Sequence, residues 1–124
     1  MAAPTEREAE ALFLPYALWR ARHEPGRMAP FPAPDQLAKS LTPQERATIE
    51  RLHERVIFGA PDAVALRLAA LAATLGVDEL VITTTTHDPA DRQRSFGLIA
   101  EAMELGRDGR GGRTFHGARR LTAA

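Results

Sequence analysis

The residues with the most chemical capacity lie together at Thr83-Thr84-Thr85-Thr86-His87-Asp88. Hydroxyls, an imidazole and a carboxylate there follow the apolar run Leu80-Val81-Ile82 and precede Pro89. Hydroxyls and imidazoles hydrogen-bond a phosphate or a polar ring edge, and an imidazole can also carry a proton near neutral pH. A helix start just beyond them adds free backbone N–H groups and the positive end of a dipole. Threonines also simply favour strands, and the last of them can close a loop, which leaves His87 as an ordinary loop histidine. Gly59-Ala60-Pro61-Asp62 is a second junction of the same kind. Its glycine fits either a phosphate contact or a turn requirement.

Other chemistries find no support. The chain has no cysteine, so disulfides and thiolate metal sites are excluded. His23, His53 and His116 are scattered, and His53-Glu54 does not extend to HExxH. No metal-ligand spacing occurs. The serines, Ser40 and Ser95, stand outside any GxSxG, and Ser95 is expected to be packed inside a helix. There is no GxGxxG and no Walker sequence. No catalytic residue and no metal site is assigned. The candidates for cofactor contact are Thr84, His87 and Gly59.

Elements that would position these residues can be read from pattern. Thr5 and Glu8 have capping-box spacing ahead of a helix over 6–23, where Leu12, Phe13, Tyr16 and Trp19 make an apolar stripe. Pro15 predicts a kink or a late start in it. Residues 24–41 are proline-rich and irregular, with a short helical turn at 35–39. Thr42-Pro43-Gln44-Glu45 starts a helix over 42–54, with Ile49, Leu52 and Val56 on its apolar side. Val56-Ile57-Phe58 then reads as a buried strand. A helix opens at Pro61, places Val64, Leu68, Leu71 and Leu75 on one face, and ends at Gly76 as a left-handed cap. Leu80-Val81-Ile82 reads as a second strand. It does not alternate, which suits a parallel strand covered on both faces. Asp88 caps a last helix with Pro89 in its first turn and Leu98, Ile99, Ala102 and Met103 inside. The order over 55–104 is therefore βαβα, the unit of α/β folds with right-handed crossovers. Two strands do not complete a sheet, so the edges need a partner or more chain.

The chain is 124 residues long with a formal net charge of zero. That length allows one domain or a piece of one, burying about two thirds of the unfolded surface. Zero net charge points to neither nucleic acid nor an anionic membrane. The N-terminus lacks the apolar core of a secretory signal, and no apolar run reaches the ~18 residues that span a bilayer. The expected location is cytoplasmic. Residues 105–124 form an Arg/Gly-rich tail, expected to be disordered. Only Phe115 interleaves its arginines, so RNA binding is not expected.

The residues now describe something more specific. Gly59, Pro61, Val64, Gly76, Asp78-Glu79, Thr83-Thr84, His87-Asp88 and 91–100 resemble the C-terminal end of luciferase-like flavin-dependent monooxygenases. Leu14-Pro15-Tyr16-Ala17-Leu18, Pro32-Ala33-Pro34-Asp35 and Thr42-Pro43-Gln44-Glu45-Arg46 are similar to the segment before it, so the resemblance covers about 8–104. It implies a helix-dominated α/β architecture: a partial TIM (β/α)8 barrel, holding the seventh and eighth β/α units preceded by helices. It implies FMN, or a related flavin or deazaflavin, as cofactor, and oxygen activation on the reduced flavin. Most of the flavin pocket in that family comes from strands absent here. The chain alone is therefore expected to be inactive, not to retain flavin, and to need a separately encoded N-terminal barrel part. The alternative is a stand-alone, non-catalytic interaction or self-associating module derived from that family.

Overall fold

A computed structural model describes residues 1–23, 30–33 and 41–105. The expected turn at 35–39, most of the proline-rich connection and residues 106–124 of the Arg/Gly tail lie outside the described residues. Four helices are present: α1 (Glu6–Arg22), α2 (Pro43–Arg55), α3 (Pro61–Leu75) and α4 (Pro89–Ala102). The helix-dominated part of the expected architecture is therefore correct.

Helix starts follow local chemistry. Thr5 Oγ1 accepts from the Glu8 N–H at 3.2 Å, and its own proton goes to Glu8 Oε2 at 2.8 Å. At α2 the capping box is complete. Glu45 N–H donates to Thr42 Oγ1 at 3.2 Å, and Thr42 N–H donates to Glu45 Oε2 at 2.8 Å. Prolines stand in the first turns of α2, α3 and α4, where a missing N–H breaks no helical bond. Gly76 ends α3 in the left-handed conformation, φ 63°, as the sequence predicts. Pro15 neither delays nor ends α1; it lies inside the helix and is buried.

Two hydrophobic clusters make the core. In the first, Phe13 of α1 stacks on Phe58 with ring centroids 4.3 Å apart, among Met1, Ala3, Ala9 and Ala17, with Ile49 and Leu52 of α2 packed against it. His53 stands edge-on to both rings, at 5.5 and 5.0 Å. The second cluster joins α3 and α4 through Val64, Leu68 and Ile99, with Ala2, Ile57, Leu80 and Ile82. Side chains of two short segments divide between the clusters in alternation. Met1 and Ala3 enter the first and Ala2 the second; Val56 and Phe58 enter the first and Ile57 the second. Alternation is the signature of extended backbone, so these segments form the wall between helix pairs α1/α2 and α3/α4.

Three expectations change. Among the described residues the segments read as strands, 56–58 and 80–82, form no ladder, so the βαβα sheet and the partial barrel are not present as hydrogen-bonded structure. The pairing near them is a parallel bridge of Ala2 with Gly59, supported by Ala3 N–H to Gly59 O at 3.2 Å. A strand is held by its neighbours, and a chain with two such segments has too few of them. Second, the 80–86 segment is covered on one face rather than two. Leu80, Ile82, Thr84 and Thr86 are buried or half-buried, whereas Val81, Thr83 and Thr85 are exposed, Val81 to 85%. Third, the buried line of α3 is Val64, Leu68 and Ala72. Leu71 and Leu75 of the expected stripe are exposed, Leu75 at 60%, although at 3.6 residues per turn Leu75 stands between Val64 and Leu68 around the helix; they share the face and differ in what covers it. In α1 the deepest line is likewise Ala9, Phe13 and Ala17, with Leu12, Tyr16 and Trp19 beside it.

Candidate functional site

The open space between segments 56–57 and 80–82 is the natural place for a ligand. It is a cavity of about 260 Å³ bordered by Val56, Ile57, Leu80, Val81, Ile82 and Tyr16, with Thr83 and Thr85 on its rim. α3 and α4 form its floor through Val64, Leu68, Leu71 and Ile99. The lining is apolar except for the hydroxyls of Tyr16, Thr83 and Thr85 and the Met1 terminus. Among the described residues no lysine or arginine side chain borders it.

The three sequence candidates are not brought together around this space. Thr84 is buried to 7% exposure on the face opposite Thr83 and Thr85 and does not border the cavity. Its Oγ1 is fully enclosed and has no hydrogen-bond partner among the described residues. His87 is exposed at the entrance to α4, and its ring centroid lies 6.3 Å from that of Phe31. Phe31 in turn lies 5.9 Å from Trp19, so an aromatic bridge ties the end of α1 to the rim. Thr86 Oγ1 donates to the Asp88 carbonyl at 2.7 Å, and Asp88 Oδ1 accepts from the Ala90 N–H at 2.8 Å. The last threonine and the aspartate therefore close the turn and cap α4, the structural role allowed for them at the outset.

Gly59 has a clear structural role. Its φ is 148°, a conformation that side chains rarely adopt. A Cβ placed there would meet Glu6 Oε1 at 2.8 Å. That same oxygen accepts from the Ala60 N–H at 3.0 Å, at the start of α3, where no local side chain caps the helix. A carboxylate of α1 thus occupies the place a phosphate would need, and the junction acts as a tertiary cap.

Two participants were missed from the sequence. Ser95 was expected to be packed, and it is fully buried, but its Oγ also accepts from the Ala2 N–H at 2.8 Å across 93 positions. The Met1 amine donates to the Ile57 carbonyl at 2.7 Å. Burial, and after it the Arg67 charge, push that amine down to about 6 from an ordinary 8.0. No local motif marks contacts of such long range. Elsewhere, Arg22 holds the Glu45 carboxyl below its usual range, by a hydrogen bond at 2.7 Å, with the Thr42 backbone assisting.

Among the described residues no group of three or more His, Cys, Asp or Glu side chains is placed to hold a metal ion. No helix among them is long and apolar enough to cross a membrane. No protein-family model matches the chain, and no solved structure matches it. Among curated proteins it is similar to the uncharacterized protein YvbT of Bacillus subtilis (strain 168), with 30% identity over 73 residues. Those residues are 59% of this chain and 22% of that one, so the match spans about a fifth of a much longer relative.

Proposed function

We propose that this chain corresponds to the C-terminal seventh and eighth β/α units of a luciferase-like flavin-dependent monooxygenase barrel, and that it is catalytically incomplete alone. The observation that carries the reading is the order of parts around one cavity. Two apolar segments, 56–58 and 80–82, each feed a proline-started helix, and both helices lie on the same side of the space the segments border. In β/α barrels the strands surround the interior, the helices lie outside, and ligands meet the loops that follow the strands. Thr83 and Thr85, which border the cavity, and His87 beyond them follow the second apolar segment in sequence, which supports the reading. The similarity to about a fifth of a longer chain agrees with a segment whose remaining walls lie elsewhere.

The residues present do not fit a flavin mononucleotide by themselves. Glu6 places a carboxylate at the Gly59 junction, Thr84 turns away from the cavity, and among the described residues no cationic side chain borders it. No catalytic step is assigned to this chain. Flavin chemistry needs an enclosed, oriented pocket, which the missing walls would supply. The decisive measurement is the DNA sequence upstream of the Met1 codon. An in-frame or frameshifted stretch with β/α periodicity is expected. Upstream sequence without such a pattern, together with no separately encoded barrel part that restores flavin retention when co-expressed, refutes the reading.

A further inference from the structure

The segment from Glu79 to His87 has an unusual combination of properties. Its burial alternates strictly, as in a strand, with Glu79, Val81, Thr83, Thr85 and His87 all exposed on one face. Among the described residues no backbone hydrogen bond joins 79–86 to any other segment. Six of the seven residues from Leu80 to Thr86 are β-branched, the type that fits a pleated surface. Between Leu80 and Thr86 there is no proline, lysine or other charge, so the devices that normally blunt an edge are missing.

The groups at its two ends, a carboxylate at Glu79 and an imidazole at His87, identify the occupant. We propose that two copies of this chain pair antiparallel along residues 79–87 about a two-fold axis at Thr83. In that register Thr83 lies opposite Thr83, Val81 opposite Thr85, and Glu79 opposite His87. All five side chains are on the exposed face, so the acid of each copy meets the imidazole of the other. A two-fold contact repeats the pair on both sides of the axis, giving two Glu79–His87 contacts from one sequence. Pairing ends at His87, where the backbone bends toward α4 and Thr86 Oγ1 and the Asp88 carboxylate are committed to the turn and the cap. The uncharged centre satisfies backbone groups of both edges and covers Val81. This inference does not rest on the family reading.

Sedimentation of the full chain tests it. A monomer–dimer equilibrium through the micromolar range is expected. Thr83→Lys places two ammonium groups together at the axis and should weaken dimerisation by at least about tenfold. Glu79→Lys should weaken it by removing the acceptor for the imidazole, and adding His87→Glu should restore it by placing a carboxylate opposite the new ammonium. Far-UV circular dichroism checks that each variant keeps its helices. Should Thr83→Lys not fold, Val81→Lys decides, since that side chain is 85% exposed. A monomer at all concentrations, an association indifferent to these lysines, or a double variant without recovery overturns the proposal.

Discussion

Replacing Gly59 with alanine isolates the tertiary cap between α1 and α3. Three effects act together. Forcing a side chain to φ 148° costs about 1–3 kcal/mol. The new Cβ, 2.8 Å from Glu6 Oε1, displaces the carboxylate from the Ala60 N–H, and a lost cap costs about 1 kcal/mol. Against these, alanine restricts the unfolded chain and returns about 0.4–1 kcal/mol. Strain and the lost cap win, leaving a net loss of roughly 1–3 kcal/mol, or about 4 °C in Tm for each kcal/mol in a domain of this size. Thermal melting by circular dichroism, with urea titration as a second probe, measures it. The double variant Glu6→Ala/Gly59→Ala separates the terms. With Glu6 already truncated, alanine at 59 should cost only the backbone part, so the double loss should be smaller than the sum of the single losses. An unchanged Tm for Gly59→Ala would refute the strained junction. Strict additivity would refute the shared role of Glu6.

Other outcomes follow from the same contacts. Ser95→Ala leaves the buried Ala2 N–H without its acceptor and should cost about 1–3 kcal/mol in urea unfolding, with faster exchange of that amide. Leu68→Ala, in the cluster between α3 and α4, should cost about 2–5 kcal/mol, whereas Leu75→Ala should change stability little, a contrast that melting curves will show. The Met1 amine of the 124-residue chain binds its proton less tightly when folded, about 6 against 8.0. Between those values the unfolded chain holds more protons, so the amine's contribution to stability is present above pH 8 and is lost as pH falls toward 6. Acetylating the terminus should remove that dependence from the pH profile of Tm.

Much of the local structure was legible in the sequence because its causes are local. Thr42-Pro43-Gln44-Glu45 contains its own capping box, Gly76 its own left-handed cap, and Asp88-Pro89 its own helix start. These features depend on atoms within four residues of one another, and the helix bounds followed from them closely. Two strands were expected where, among the described residues, no ladder forms, since β-branched composition favours extended backbone but pairing requires another segment in reach.

What faces what was decided only by tertiary packing. Val64, Leu68, Leu71 and Leu75 read as equals along α3, yet the neighbours supplied by α4 and by Ile57 bury two of them and leave two outside. Gly59 looked like one more glycine before a helix until Glu6, distant in sequence, came to rest on the Ala60 N–H. The threonine run shows the division most directly. Its β-branched composition favours extended backbone, but only the folded structure shows that Thr84 is enclosed while Thr83 and Thr85 border the open cavity. Residue type sets what a segment can do within its own few bonds, but burial depends on which surfaces the folded chain has left to cover it.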